Sequence, residues 1–301
     1  MRFDVISWVK DGAWVLPRTL KRLERVLPSE CVHRKIMVDD HSSDETREIG
    51  KDFNWEVYSN PESGISSGAN YALSKVDCPF FMSFEQDLLL SEDWFTKISP
   101  LFDKERVAVA SGVRFSTHPK AIRDLEKYVY MKYLQEKNLA PYLSNRKASV
   151  FTLGKTLDNT LYVTEVIKKI GGFPMMSTNC GIDALLAYTL NVNGFRWNVS
   201  ATCVSKHIRR GLRQELSHQR WYAIASVETR KKILAKNLDT LDCLGGFVTF
   251  KHAVQRLLLS PIAGVFVSVK MRNPMIALVH PLIKLSWFVG YLDSLKVSEG
   301  E

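Results

Sequence analysis

Residues 35–46 read KIMVDDHSSDET. Lys35 to Asp39 is a short apolar run, the pattern of a buried strand. It stops at Asp39-Asp40-His41-Ser42-Ser43-Asp44, a cluster of turn and helix-start residues, and a short helix is expected to follow. The same unit precedes it. Phe3 to Val9 (FDVISWV) reads as a buried strand, Asp11-Gly12 as a turn, and Leu16, Leu20, Leu23 and Leu27 recur at helical spacing, with Pro17 suited to a first turn. It also follows. Trp55 to Tyr58 reads as a third strand, Gly64 to Ser74 as a Gly/Ser-rich turn entering a helix, and Pro79 to Phe84 (PFFMSF) as a fourth strand ended by Glu85-Gln86-Asp87; Val107 to Val113 reads as a fifth. Strands alternating with helices at this spacing predict an α/β fold with a mostly parallel sheet flanked by helices. Ligands in such sheets bind at the carboxyl ends of the strands, where both acidic clusters lie.

The two clusters differ in what they demand. Turn chemistry and helix capping alone account readily for Asp39-Asp40 beside Ser42-Ser43. Glu85 and Asp87, one residue apart directly after PFFMSF, are costly beside a core unless a cation neutralises them. A hard divalent ion, Mg²⁺ or Mn²⁺, would do so while bridging to substrate phosphates.

The remaining segments extend the pattern. Ala121 to Leu139 is amphipathic, Thr160 to Ile170 reads as strand into helix stopped by Gly171-Gly172, Asp183 to Asn193 as a helix, Phe195 to Val204 as a strand, and Arg213 to Asn237 as a long helix. The 301 residues suffice for a full core, and 46% hydrophobic with 24% charged residues excludes a disordered or fibrous chain. Five scattered cysteines (Cys31, Cys78, Cys180, Cys203, Cys243) have no metal-site spacing and are expected to be reduced, buried thiols of a cytosolic protein. Met1-Arg-Phe-Asp-Val has an acid where a secretory leader needs an apolar run, so no cleaved signal is expected.

The segments, in order, resemble a family 2 glycosyltransferase of the GT-A fold. VISWVKDG with VLPRTLKRL resembles the opening strand and helix, and KIMVDDHSSDET the nucleotide-binding strand and turn. NPESGISSGANYAL resembles the G-x-x-x-A-R-N segment, and FFMSFEQDLLLSEDWF the D-x-D metal motif. TLYVTEVIKKIGGF and CGIDALLAYTLNVNGFRW resemble the acceptor-side segment with its Glu-Asp pair, and VSKH the strand ending in His. Together they cover about residues 3–207.

The resemblance implies an inverting, metal-dependent transfer of a hexose from a nucleotide-diphosphate sugar. It assigns Val5 to Lys10 (Ser7 and Val9 among them), Asp39, Asp40, Asn70, Glu85 and Gln86 to the nucleotide sugar. Asp87 and His207 fall to the metal, Mg²⁺ or Mn²⁺, and Asp183 to the general base that deprotonates the acceptor hydroxyl. Arg209, Arg210 and Arg213 follow His207 and could clasp the diphosphate or face solvent. Two positions depart from the pattern: Ala69 stands where the motif has Arg, and Ile182 where the pair has Glu, an apolar neighbourhood expected to raise the Asp183 pKa. Arg220-Trp221 resembles the end of the Q-x-x-R-W motif of processive synthases, with Ser217 in place of Gln. Two competing readings are a sugar-phosphate nucleotidyltransferase, whose Gly-rich loop VISWVKDGAW lacks, and a non-catalytic glycan- or nucleotide-binding relative. The want of G-x-G-x-x-G after the first strand argues against a dehydrogenase.

The charge is unevenly placed. From Lys206 onward lie 15 of the 41 basic residues but only 7 of the 32 acidic ones, so eight of the nine net positive charges belong to the last third. This suggests a catalytic domain over 1–212 and a helical, basic, apolar region over 213–301. Leu257 to Val269 has no charge but is shorter than the about 20 residues a span needs, and Asn273 to Leu292 contains Pro274, His280, Pro281 and Lys284. Flanked by Lys251, Arg256, Lys270, Arg272 and Lys296, and carrying Trp287 and Tyr291, these stretches suit helices lying in a membrane interface. The expected partners are therefore a nucleotide-sugar donor, a glycan or lipid-linked acceptor and the cytoplasmic membrane face; apolar runs of this kind do not fit nucleic acid.

Overall fold

The computed structural model describes residues 1–135, 155–234 and 249–297. Cys243 and the ends of the helices expected to reach Leu139 and Asn237 lie outside the described residues; Cys31, Cys78, Cys180 and Cys203 are free thiols.

The N-terminal half runs β1 (Phe3–Val9), α1 (Leu16–Val26), β2 (Val32–Asp39), α2 (Thr46–Asp52), β3 (Glu56–Ser59), α3 (Ile65–Ser74), β4 (Phe80–Phe84), β5 (Leu88–Leu89), α4 (Trp94–Ile98) and β6 (Val107–Ser116). Next come α5 (Lys120–Gln135), β7 (Asn159–Val163), α6 (Thr164–Lys169), α7 (Ile182–Val192), β8 (Arg196–His207) and α8 (Leu212–Leu234), then α9 (Phe250–Leu258), α10 (Ser260–Lys270) and α11 (Met275–Val297). One eight-stranded sheet has the order β3-β2-β1-β4-β7-β6-β8-β5.

Helices cover both faces, which is why all seven residues of β1 are buried. Ile6 and Trp8 pack with α3 and α7, while Phe3, Val5 and Val9 pack with Leu16, Leu20 and Leu23 of α1 and Trp94 of α4. Two strands depart from the expected parallel pattern: β7 is antiparallel to both β4 and β6, and the short β5 is antiparallel to β8. The chain leaves β6 at the sheet's carboxyl edge and re-enters there, with Asn159 opposite Phe84, so without a crossover it must run back.

The polar cluster after β2 staples two loops together. Ser42 Oγ accepts the Asp11 amide (2.9 Å), Asp44 Oδ2 the Ala13 amide (3.0 Å), and Thr46 Oγ1 the Gly12 amide (2.7 Å). The cap position of α2 itself, Glu45, makes no side-chain cap bond, so the cluster ties loops together rather than capping the helix. On the other side of the sheet, β8 carries three extra residues: Ser200 pairs with Gly112 and Val204 with Val113. Gly112 permits this bulge, since a Cβ there would lie 2.8 Å from the Cys203 carbonyl oxygen. Beyond it His207 pairs with Leu88, the residue after Asp87.

The C-terminal helices share a core with the rest. Ala121 and Ile122 of α5 pack with Val267 of α10 and with Ile276, Val279 and Ile283 of α11. The stretch from Met275 is continuous helix despite Pro281, and by length and composition it could cross a membrane; α9 and α10 bend by 54° at a break closed by Pro261.

Candidate active site

A cleft of about 500 Å³ opens at the carboxyl ends of β1, β2, β4 and β6, the position the alternating pattern predicts. After β4 the chain turns at Gln86-Asp87, bringing Glu85, Gln86 and Asp87 to this cleft with Gln86 set against Lys10. The Gln86 amide accepts the Lys10 N–H (3.0 Å) and donates to the Lys10 carbonyl (2.9 Å), acting as one more ladder pair. Thr19 of α1 donates to the Gln86 carbonyl (2.7 Å), so the segment is held from below.

Asp87 is held on both carboxylate oxygens. Its Oδ1 lies 2.9 Å from His207 Nε2, its Oδ2 accepts from Arg209 Nη1 (3.2 Å), and its carbonyl accepts the Ile208 amide (2.7 Å). Burial pushes its pKa up, but His207 and Arg209 outweigh that and hold it at about 2. Arg209 Nη2, which can only donate, lies 3.2 Å from His207 Nδ1, so the neutral ring carries its proton on Nε2. Burial and the nearby Arg114 keep the ring neutral, with a pKa lowered to about 3.

Glu85 behaves oppositely. Burial, with the negative charge of Asp87 and Asp183, raises it to about 7 against the pull of Arg114 and Arg209. One ligand atom each from Glu85, Asp87 and His207 lies within 4.8 Å of the others. Two carboxylates and an imidazole suit Mg²⁺ or Mn²⁺, and a carboxylate this hard to ionise shows a local want of positive charge, so the residues fit such an ion.

Asp183 starts α7, with Oδ1 accepting the Ala184 amide (2.8 Å); burial raises its pKa. Gly181 (φ 79°) and Asn179 (φ 54°) shape the turn before it. Asn179 Oδ1 accepts the Ile65 amide (2.9 Å) and Asp40 Oδ1 the Gly64 amide (3.0 Å), so the N-terminus of α3 is shared between the two sides of the cleft. On Asp40, burial is outweighed by hydrogen bonds from Asn60, Gly64 and Lys10, and its pKa is lowered.

The family described as Glycosyl transferase family 2 matches residues 9–168, more than half of the chain. The chain belongs to glycosyl transferase family 2. No curated protein matches it in sequence. Solved structures share the fold. A mannosyltransferase, PcManGT from Pyrobaculum calidifontis in complex with GDP-Man and Mn²⁺, is 14% identical with a TM-score of 0.67, over 98% of this chain and 87% of that one. TarS residues 1–349 from S. aureus, in complex with UDP-GlcNAc, is 16% identical with a TM-score of 0.53, over 100% and 93%. Glucosyl-3-phosphoglycerate synthase from Mycobacterium tuberculosis, in complex with Mn²⁺, UDP and glucosyl-3-phosphoglycerate, is 13% identical with a TM-score of 0.50, over 74% and 77%. At these identities the likeness is one of fold: mixed α/β with the GT-A architecture. The match decides between the two enzyme readings for the transferase.

In this family 2 chain the expected residues divide. Val9, Asp40, Glu85, Gln86, Asp87, Asp183 and Arg209 line the cleft, and His207 stands behind Asp87. Ser7, Asp39 and Asn70 do not line it. Ser7 is fully buried and donates to the Phe84 carbonyl (2.7 Å). Asp39 is fully buried beneath Asp40, with Oδ2 held by the Ser42 amide and Arg47 and no partner on Oδ1 among the described residues. Asn70 clamps the loop after α6, donating to the Phe173 carbonyl and accepting its amide (both 2.8 Å). Arg210 turns out of the cleft onto the Trp14 ring (3.7 Å), and Arg213 is exposed. Arg220 pairs with Asp293 (2.7 Å) on α11, while Trp221 faces the cleft. Ala69 is fully buried, so no donor stands at that motif position.

Sequence reading missed Arg114, which ion-pairs with Asp158 and stands 3.9 Å from Glu85. Its place near the carboxyl end of a strand is the signal that could have found it. Also missed were Asn179 and, on α8, His218 and Tyr222. The boundary drawn at residue 212 therefore runs through the cleft wall.

Proposed function

We propose that this chain transfers a sugar, with inversion, from a nucleotide-diphosphate sugar to a hydroxyl of a membrane-proximal or lipid-linked acceptor. The observation that carries the reading is a cation-ready trio (Glu85, Asp87 and, behind it, His207) whose two acids line the same cleft as a carboxylate poised as a base (Asp183). The nucleotide lies along Val9, Lys10 and Asp40, and its diphosphate points toward Asp87. Glu85, Asp87 and His207 would hold Mn²⁺ or Mg²⁺, which when bound would supply Lewis-acid stabilisation of the departing diphosphate. Arg209 and Arg114 add fixed positive charge on the same side.

Asp183 takes the acceptor's hydroxyl proton. The acceptor oxygen bonds to the anomeric carbon as the bond from that carbon to the diphosphate oxygen breaks, and the electron pair leaves with the diphosphate. One base and one displacement give inversion. The raised pKa makes Asp183 a stronger base than an exposed aspartate once it is ionised. A panel of nucleotide sugars with Mn²⁺ or Mg²⁺, read by thermal shift and then by turnover, tests the class; a panel without any stabilising donor overturns it.

The chain is also read as peripheral to the cytoplasmic membrane face. Leu258, Ile262 and Val269 are each 70–73% exposed and Leu278 is 64% exposed, with exposed Lys251, Arg256, Lys270 and Arg272 around them. Apolar faces ringed by cations suit an anionic lipid surface. Attachment is favoured over spanning because α11 is docked along the polar helix α8: Ser286 donates to the Leu216 carbonyl (2.6 Å), and Arg220 pairs with Asp293. Tyr291 is buried against Ala223 and stacked on Trp287 rather than placed as an outward anchor.

A further inference from the structure

A second cavity, of about 650 Å³, adjoins the first at Asp183. It shares Arg114, Thr156, Asp183, Arg209 and Tyr222 with the first, so ligands in the two cavities both reach Asp183. Its apolar walls come from α5 (Ile122, Leu125, Val129), α10 (Phe266, Val267) and α11 (Ile283). Phe266 is 53% exposed, and its helix carries the exposed Ile262, Val265 and Val269. The cavity thus opens on the same apolar face that the membrane reading uses.

Its charges are unbalanced. Glu126 is held by the Ser116 amide (3.0 Å) and hydroxyl (2.9 Å), and Glu215 lies 3.1 Å from His118 and accepts from Gln219 (2.7 Å). Lys155 and Lys284 have no ion-pair partner among the described residues, although burial lowers both, Lys155 to about 8. Both lysines line this one cavity, half-buried, and neither is closed by an ion pair although Glu215 acts on Lys284 from a distance, so the lining favours an anion. An anion on an apolar-walled path to a membrane face is an amphiphile.

We propose that this cavity binds the acceptor as a lipid phosphate, with its hydroxyl-bearing head at Asp183, its phosphate between Lys155 and Lys284, and its hydrocarbon chain leaving past Phe266 between α10 and α11. This rests on the transferase reading, since it takes Asp183 to be the base.

The test uses the full chain and decyl phosphate below its aggregation concentration, with decanol and inorganic phosphate as controls, read by calorimetry. Decyl phosphate is expected to bind, and to bind roughly tenfold or more weaker in Lys155→Gln and in Lys284→Gln. Decanol and inorganic phosphate are each expected to bind far more weakly than decyl phosphate. Phe266→Asp, at an exposed position that the fold tolerates, is expected to weaken decyl phosphate while leaving inorganic phosphate unchanged. Equal decyl phosphate affinity in wild type and in the double lysine variant overturns the proposal. So does decanol or inorganic phosphate binding as tightly as decyl phosphate, an unchanged affinity in Phe266→Asp, or no binding to the wild type. Titration with Mn²⁺ and nucleotide sugars is a separate readout: failure there overturns the transferase reading whatever decyl phosphate does.

Discussion

Asp87 and His207 stand 120 residues apart in the chain and 2.9 Å apart in the fold. The Leu88–His207 ladder pair brings them together, and Arg209 bonds to both. A divalent cation needs an ionised carboxylate and an unprotonated ring nitrogen; the carboxylate is already ionised, and a cation bound at His207 Nε2 would take the place of the proton that now faces Asp87.

Removing divalent cations with a chelator should abolish sugar transfer, and Mn²⁺ should restore it. Turnover that persists in chelator would sink Asp87 as a ligand.

Metal affinity should depend on pH through Glu85. Its pKa of about 7 leaves it largely protonated in mildly acid solution, and a cation must displace that proton. Mn²⁺ affinity should therefore climb as pH rises toward about 7 and level off above it. Glu85→Gln should bind more weakly and lose most of that slope; Mn²⁺ paramagnetic resonance titrations at several pH values check both.

Asp183→Asn should lower turnover by on the order of 10²–10⁴ while nucleotide affinity survives. In the wild type, activity should fall as acid protonates Asp183, and the limb should sit above the usual aspartate range because burial raises this group. A variant with normal turnover would remove Asp183 from the mechanism.

Gly64→Ala should destabilise the fold by about 1–3 kcal/mol and weaken nucleotide binding. Gly64 has φ 93°, and a Cβ there would stand 2.2 Å from Asn179 Oδ1, the oxygen that accepts the Ile65 amide. Thermal unfolding and a nucleotide titration measure the two effects; an alanine variant as stable as wild type would show that the contact yields easily.

Ile262→Glu together with Leu278→Glu should release the protein from anionic liposomes in flotation. Both side chains are well exposed, so the core is spared. Deleting residues 251–301 is the poorer experiment, since Val267, Ile276 and Ile283 pack on α5 and deletion would strip that core. Undiminished flotation of the double variant would refute attachment through this face.

Much of the frame was legible because it is written locally. The apolar run Phe3–Val9, the leucines of α1 at spacings of three and four, and the acid clusters closing β2 and β4 are patterns between near neighbours. They determined the α/β class and the edge of the sheet where a ligand would sit.

Other outcomes needed the folded chain. Arg209 and Arg210 are adjacent and both cationic, yet one clasps Asp87 and the other lies on Trp14, because each side chain answers to what the neighbouring strands and loops present. Asp39 and Asp40 divide in the same way, one beneath the cleft and one in its wall. The antiparallel course of β7, the part of α8 in the cleft and the cavity between α5, α10 and α11 also come from packing between distant segments. Composition and periodicity are set residue by residue along the chain. Which charged groups face one another depends on strand register, on the bulge at Gly112 and on how helices seat against the sheet, and those are settled only when the whole chain has packed.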